Sequence, residues 1–367
     1  MWGRIYALIV KEMWAILRDP RARVILVVPP LVQLFVLGFA TTLEVKNIDV
    51  GVYNRDSGAW STEFVQRLAG SPNIRGLVWI RSPEELRSAI DNQRVIVAVS
   101  IDQRFSADIE AGRPATIQAV FDGRRSNAAQ IVSGYIERIV GEMGASLAPA
   151  SASPRSLSVL TNWFNPNLDY LWFTMPALIV IISTVSGLGI TALSVARERE
   201  LGTFDQLMVS PLRVHEILIG KMVPPFLVGL FNASLYLILI PFAFGVPLTG
   251  SVPLFYLALT FYLLALVGVG MLVSSLAQTQ QQAFLGVFLV TVPATLLSGY
   301  ASPVDNMPGW LQILAQANPP KHFLIVSEGV FLKAMPALDV LSNTWPLVII
   351  ASVTLTASAV LFRARME

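Results

Sequence analysis

Arg197, Glu198, Arg199 and Glu200 fill four consecutive positions at the end of a stretch that is uncharged from Tyr170 onward. Alternating guanidinium and carboxylate groups in one helical turn form ion pairs and charge-assisted hydrogen bonds. With no nucleophile beside a base, they offer recognition rather than covalent catalysis. Arg197 and Glu200 stand three apart and can pair along a helix. Leu201, Phe204, Leu207 and Met208 follow at intervals that give a short helix a narrow apolar edge, and Ser210-Pro211 ends it. The arginines obey a topology rule, but topology does not require apolar residues in register on an exposed loop. A docking helix does.

Little else in the chain can do chemistry. There is no cysteine, which removes thiol nucleophiles and Cys-based zinc sites together. No G-x-x-x-x-G-K-[ST] phosphate cradle occurs, since Gly220-Lys221 is followed by Met222 and lacks the earlier glycine. His215-Glu216 begins like a zinc-protease motif, but Ile219 stands where the second histidine belongs and His322 is remote. The expectation is no catalytic residue, no metal and no cofactor held by this chain.

These residues must be positioned by membrane helices. Of 367 residues, 54% are hydrophobic and 14% charged, well below the roughly 25% charged of soluble domains. Six apolar stretches predict spans at residues 24–43, 171–195, 217–244, 252–276, 283–299 and 344–362. Their apolar interiors lack carboxylates and histidines, which disfavours a proton or sodium relay and an intramembrane hydrolase. The first stretch is too long for a cleaved signal and no small-residue cleavage site follows it.

Lys and Arg in the short flanks set the orientation. Five precede the first span (Arg4, Lys11, Arg18, Arg21, Arg23), four lie around the opening stretch (Arg197, Arg199, Arg213, Lys221) and two in the tail (Arg363, Arg365). Residues 1–23, 196–216 and 363–367 are therefore expected in the cytoplasm, and residues 44–170 and 300–343 outside. Between 44 and 170 the pattern becomes that of a soluble α/β domain. Val50–Tyr53, Leu77–Ile80, Val95–Ile101 and Ile117–Phe121 read as strands, with helices at Thr62–Ala69, Pro83–Asn92 and Ser126–Met143. The segment Phe121–Asn127 with Arg124 and Arg125 reads as a solvated, capped turn in preference to an anion site. Ala148–Pro154 reads as a linker.

Ile5, Leu8, Ile9, Met13, Ile16 and Leu17 recur with helical spacing, and Arg4, Lys11 and Arg18 lie seven apart on another face. This predicts an amphipathic helix in the membrane interface plane, with Trp2 and Trp14 as anchors and Asp19-Pro20 ending it. Glu12 falls at the edge of the apolar stripe, a misfit. Within the spans, Gln33, Asn232 and Tyr236 with Phe35, Phe39, Phe173 and Phe288 suit a hydrophobic or amphipathic substrate, although packing accounts for such residues as readily.

Ala196-Arg197-Glu198-Arg199-Glu200-Leu201-Gly202-Thr203-Phe204-Asp205-Gln206-Leu207-Met208-Val209-Ser210-Pro211 resembles the signature loop of ABC-2 type permeases, the membrane subunits of bacterial ABC exporters. Lys11-Glu12, Phe121–Arg124, Asn165–Tyr170, Gln280–Phe284, Leu297–Pro303 and Asn318–Phe323 extend the resemblance over nearly the whole chain, to the efflux branch with a large domain after the first span. Pro320-Lys321 departs from its usual apolar-Arg pair. The resemblance implies a membrane α-helical fold with six transmembrane helices, an inserted α/β extracytoplasmic domain, an N-terminal interfacial helix, and re-entrant helices near Met307–Gln316 and Lys321–Leu332. It implies an ABC ATPase partner carrying ATP and Mg, a coupling helix formed by residues 196–216, and a second permease copy or a related permease. It suggests a periplasmic membrane-fusion adaptor and a place in the bacterial inner membrane, with no nucleic-acid partner. The implied activity is export of a drug, lipid or bile-salt-like amphiphile by alternating access. The competing expectation is a signal transducer whose exported domain senses a ligand and whose loop docks an effector.

Overall fold

The computed structural model describes residues 2–18, 20–40, 48–71, 74–92, 94–122, 126–147, 165, 169–202 and 212–364. The chain forms two compact units, residues 42–160 and residues 1–41 with 161–367.

In the first unit, alternating β-branched residues build a four-stranded sheet in the order β2-β1-β3-β4, from β1 (Ile48–Asn54), β2 (Ile74–Trp79), β3 (Val97–Ile101) and β4 (Ile117–Phe121). β1 runs parallel to β2 and β3, while β4 is antiparallel to β3. Val50, Val52, Val97 and Val99 are wholly buried, and Phe64 and Leu68 of α3 (Ala59–Ala69) close over them. The same core takes Val132, Ile136, Ile139 and Met143 from α6 (Ser126–Leu147), spaced three and four apart as a helix face requires. Ile80, Ala89, Val95 and Ala98 form a second cluster that includes α4 (Pro83–Asp91). The Ser82 hydroxyl accepts from the Glu85 amide at 3.1 Å, starting α4 where the sequence predicts. One short helix was not predicted, α5 (Phe105–Glu110), whose six residues are too few to show a period.

At the end of β1, Asp56 accepts from the Ser106 hydroxyl at 2.5 Å and from the Gly58 amide at 3.2 Å. Burial pushes its carboxyl up, but bonds from Ser106, Ser61 and Gly58 outweigh that and hold it below the ordinary carboxylate value. The stabilisation is therefore complete at neutral pH and is lost as pH falls through the lowered Asp56 value. Asp56→Asn is expected to flatten this acid dependence, read as hydrogen-exchange protection of β1 and α3 in the full chain between neutral pH and pH of about 3.

The second unit is helical: α1 (Trp2–Arg18), α2 (Pro20–Ala40), α7 (Tyr170–Glu200), α8 (Val214–Phe244), α9 (Val252–Leu276), α10 (Gln280–Leu296), α11 (Gly309–Gln316), α12 (Pro319–Leu332) and α13 (Ala337–Ala364). Four of these, α7, α8, α9 and α13, are long and apolar enough to cross a membrane. The apolar part described in α2 is Leu26–Ala40, and α10 has 17 residues. At 1.5 Å per residue they reach about 22 and 25 Å, short of a hydrocarbon core of about 30 Å. α11 and α12 occupy the segments read as short helices.

α7 sits at the heart of the unit, with Met175, Ile179, Val180, Leu188 and Ala192 almost wholly buried. Hydroxyls bond across helices where hydrocarbon would leave them unpaired. Tyr262 of α9 donates to the Val180 carbonyl at 2.9 Å and stacks on Phe323 of α12 at 4.4 Å, while Ser327 donates to the Pro176 carbonyl at 2.9 Å. Pro30 in α2 has no N–H to give the Leu26 carbonyl one turn earlier. Asn232 of α8 donates to that carbonyl at 3.1 Å.

α1 packs on α8 at Gly220, where a Cβ would stand 2.3 Å from Leu8 Cδ2. Gly220→Val is expected to displace α1 and destabilise the unit by about 1–3 kcal/mol, the usual cost of overpacking. Faster proteolysis after residues of α1, together with a lower unfolding temperature, checks it.

Candidate functional site at the charged end of α7

The last turn of α7 sends three of its four consecutive charges to three different helices. Glu198 Oε1 lies 2.5 Å from Lys221 Nζ of α8. Arg199 donates to the carbonyls of Ser275 and Ala277, at 3.0 and 3.1 Å, where α9 ends. Those carbonyls have no further helical turn to bond, and a cation there also suits the helix dipole. Glu200 accepts from the amide and side chain of Gln280, at 2.9 and 3.1 Å, where α10 begins. The Arg197–Glu200 pair suggested by spacing is thus replaced: Glu200 turns to α10, and Arg197 is exposed.

Lys221 is the centre of this joint. Its side chain is 2% exposed and its ammonium also meets Glu12 Oε1 of α1 at 2.8 Å. Lys11 completes the group, 3.3 Å from Glu12 and 3.8 Å from Glu198. Two cations and two carboxylates from α1, α7 and α8 thus meet in one cluster, in which the buried ammonium has a carboxylate on either side. Glu12, the misfit on the apolar stripe, points inward one turn after Leu8. Glu216 does not serve a metal motif with His215: its carboxylate accepts from the Arg213 amide at 2.9 Å and caps α8.

α7 ends at Glu200, the last residue of the joint. Leu201 is 63% exposed, and Gly202 takes the left-handed conformation (φ +70°) that commonly closes a helix. Leu201 caps α7 and Gly202 follows it. Thr203, Phe204, Leu207, Met208, Ser210 and Pro211 lie outside the described residues. On α1, Arg4, Lys11 and Arg18 form one edge beside the face that packs through Ile5 and Leu8.

The seven residues considered for a substrate route do not converge. Phe35 and Phe39 of α2 lie 5.3 and 5.1 Å from Phe244 at the end of α8. Phe173 stacks on Tyr300 at 6.1 Å. Asn232 is taken up by the Leu26 carbonyl, Tyr236 is fully buried in the core, and Gln33 and Phe288 are exposed. A cavity of about 350 Å³ lies elsewhere, between Thr184 and Leu188 of α7, Leu266 of α9, Leu289 and Pro293 of α10, and Asn318.

Long apolar helices gathered at one end by a buried charge cluster define a polytopic helical membrane protein. Residues 23–360 match the family described as ABC-2 family transporter protein, and the chain belongs to that family. It is 43% identical over 368 residues, the whole of both chains, to the "probable multidrug ABC transporter permease YbhR" of Escherichia coli strain K12. It is 30% identical to the "probable multidrug ABC transporter permease YbhS" of the same strain, covering 98% of this chain and 95% of that one. The "inner membrane transport permease YhhJ" of that strain is 29% identical over 90% of this chain and 88% of its own.

Proposed function

We propose that the chain is the permease subunit of an ATP-driven exporter and moves a hydrophobic or amphipathic compound out of the cytoplasm or inner leaflet. The end-to-end likeness to a relative named as a multidrug permease carries this reading. The protein sits in the bacterial inner membrane with six spans, α2 and α10 crossing with help from their polar flanks, its termini in the cytoplasm and residues 44–170 in the periplasm. Two permeases pair, and a periplasmic adaptor of the membrane-fusion type is the natural partner for the exported domain. ATP and Mg belong to a separate ATPase subunit, and this chain is not itself an enzyme.

In this reading Phe204, Leu207 and Met208 enter a groove on the ATPase, and Arg197 and Leu201 meet its rim. Closure of the ATPase pair pushes on residues 203–211. The push reaches four helices at once, because Glu198 holds α8 and, through Lys221, α1, while Arg199 holds α9 and Glu200 holds α10. Such a joint favours rigid-body rocking over local bending, as alternating access requires. The cavity bounded by α7, α9 and α10, near Phe288 on the same helix, has the size and apolar lining for part of an amphiphile. A signal transducer would share this topology, but the transporter family gives it no support.

Co-expression with an ATPase subunit, followed by uptake of an amphiphilic dye into inverted vesicles, tests the proposal. ATP-dependent accumulation that vanishes when the ATPase is inactivated is expected. An active ATPase complex that moves none of a broad amphiphile panel, yet changes an effector's output, would replace it with the transducer.

A further inference from the structure

We infer that α1 is a binding surface for anionic phospholipid and that the bound lipid shares Lys11 with the Glu12–Glu198–Lys221 cluster. The inference rests on the chain being a membrane permease, but not on its coupling to an ATPase.

At 3.6 residues per turn, the residues of α1 fall on three faces. Ile5, Leu8 and Glu12 turn inward; Ile5 is 3% exposed and Leu8 6%. A second face carries Trp2, Tyr6 and Leu17, with Trp14 at its margin, and among the described residues they stand 78, 70, 49 and 52% exposed. Of the apolar stripe of the sequence, Ile5 and Leu8 are buried, Ile9, Met13 and Ile16 half-buried and Leu17 exposed, so the outward face is made mainly by the aromatic residues. Between the outward apolar face and the packed face run Arg4, Lys11 and Arg18. Arg18 stands 4.9 Å over the Trp14 ring, Lys11 reaches Glu12 and Glu198, and Arg4 interacts electrostatically with Glu216.

Aromatic rings beside a basic edge match the depth profile of a lipid surface, with rings at the level of the acyl boundary and cations at the phosphates. The charge sign selects the lipid: a phosphodiester without a compensating amine attracts this edge, each cation near an anionic surface contributing about 1 kcal/mol. Lys11 is the link to the joint. It is 58% exposed, so a headgroup can reach it while it remains near both carboxylates. A lipid phosphate that meets Lys11 at this edge binds the folded protein and stabilises it by mass action, with Lys221 still in place between Glu12 and Glu198.

Thermal unfolding of the full-length permease in neutral detergent, with added phosphatidylglycerol or phosphatidylcholine, provides the test. Phosphatidylglycerol is expected to raise the midpoint several degrees beyond phosphatidylcholine, and the difference should shrink when salt is raised from about 0.05 to about 0.5 M. Arg4→Gln with Arg18→Gln should remove the difference, and Arg4→Lys with Arg18→Lys should retain it. Equal responses to the two lipids in the unmodified protein would overturn the inference, whatever the variants do. So would an undiminished phosphatidylglycerol response in the Gln variant, and loss of ATPase co-purification in that variant would then assign the basic edge to a protein.

Discussion

Lys221→Met is expected to lower the stability of the helical unit by about 3–5 kcal/mol, the cost of leaving buried carboxylates without their cation. Glu12 and Glu198 each approach Lys221 more closely than they approach the exposed Lys11. Lys221 is therefore the nearer cation to both, and the two carboxylates repel once it is gone. Lys221→Arg keeps the charge but needs more room in a site that is 2% exposed, so only partial recovery is expected. The informative variant is the triple Glu12→Gln, Glu198→Gln, Lys221→Met. Removing all three charges together abolishes the repulsion and should restore most of the unfolding temperature, while transport stays low because α1, α7 and α8 no longer move as one. Unfolding temperature and dye transport measured on the same preparations separate the two effects. If Lys221→Met unfolds and transports like the unmodified protein, the joint has no mechanical role.

Phe204→Asp combined with Leu207→Asp is expected to abolish co-purification of the ATPase subunit. Buried apolar anchors in an interface commonly contribute 2 kcal/mol or more each. Losing two amounts to about 4 kcal/mol, or roughly a thousandfold in Kd. Folding of the permease should be unaffected if these side chains face a partner and not the bundle. An unchanged unfolding temperature with lost ATPase is the expected pair of results. Lost folding with retained ATPase would place the two residues in the core.

The long apolar helices were legible because an apolar run is a local signal: the expected 252–276 is the range of α9, and the expected 171–195, 217–244 and 344–362 lie within α7, α8 and α13. The strands of the α/β unit were legible for the same reason, through β-branched residues between turn formers. The joint was not. Glu12 and Lys221 are 209 positions apart, and no periodicity links them. Lys221 entered the sequence reading only as a positive charge for topology, although a Glu on an apolar stripe was a visible demand for a buried cation. The consecutive charges at 197–200 were read together as a partner surface, yet side chains in one helical turn point in different directions, and three of them reach separate helices. Gly202 after a basic last turn was a readable helix stop.

The most direct measurement uses the absence of cysteine from the chain. A single cysteine at Leu207 can be joined by a short bifunctional reagent to single cysteines around the expected groove of the ATPase, in membranes containing both subunits. An efficient cross-link at Leu207 that changes with ATP is expected, and none from a cysteine at Leu338, which the proposed topology puts on the opposite side of the membrane. No cross-link from Leu207 in a complex that still transports, or one from Leu338 alone, would contradict it.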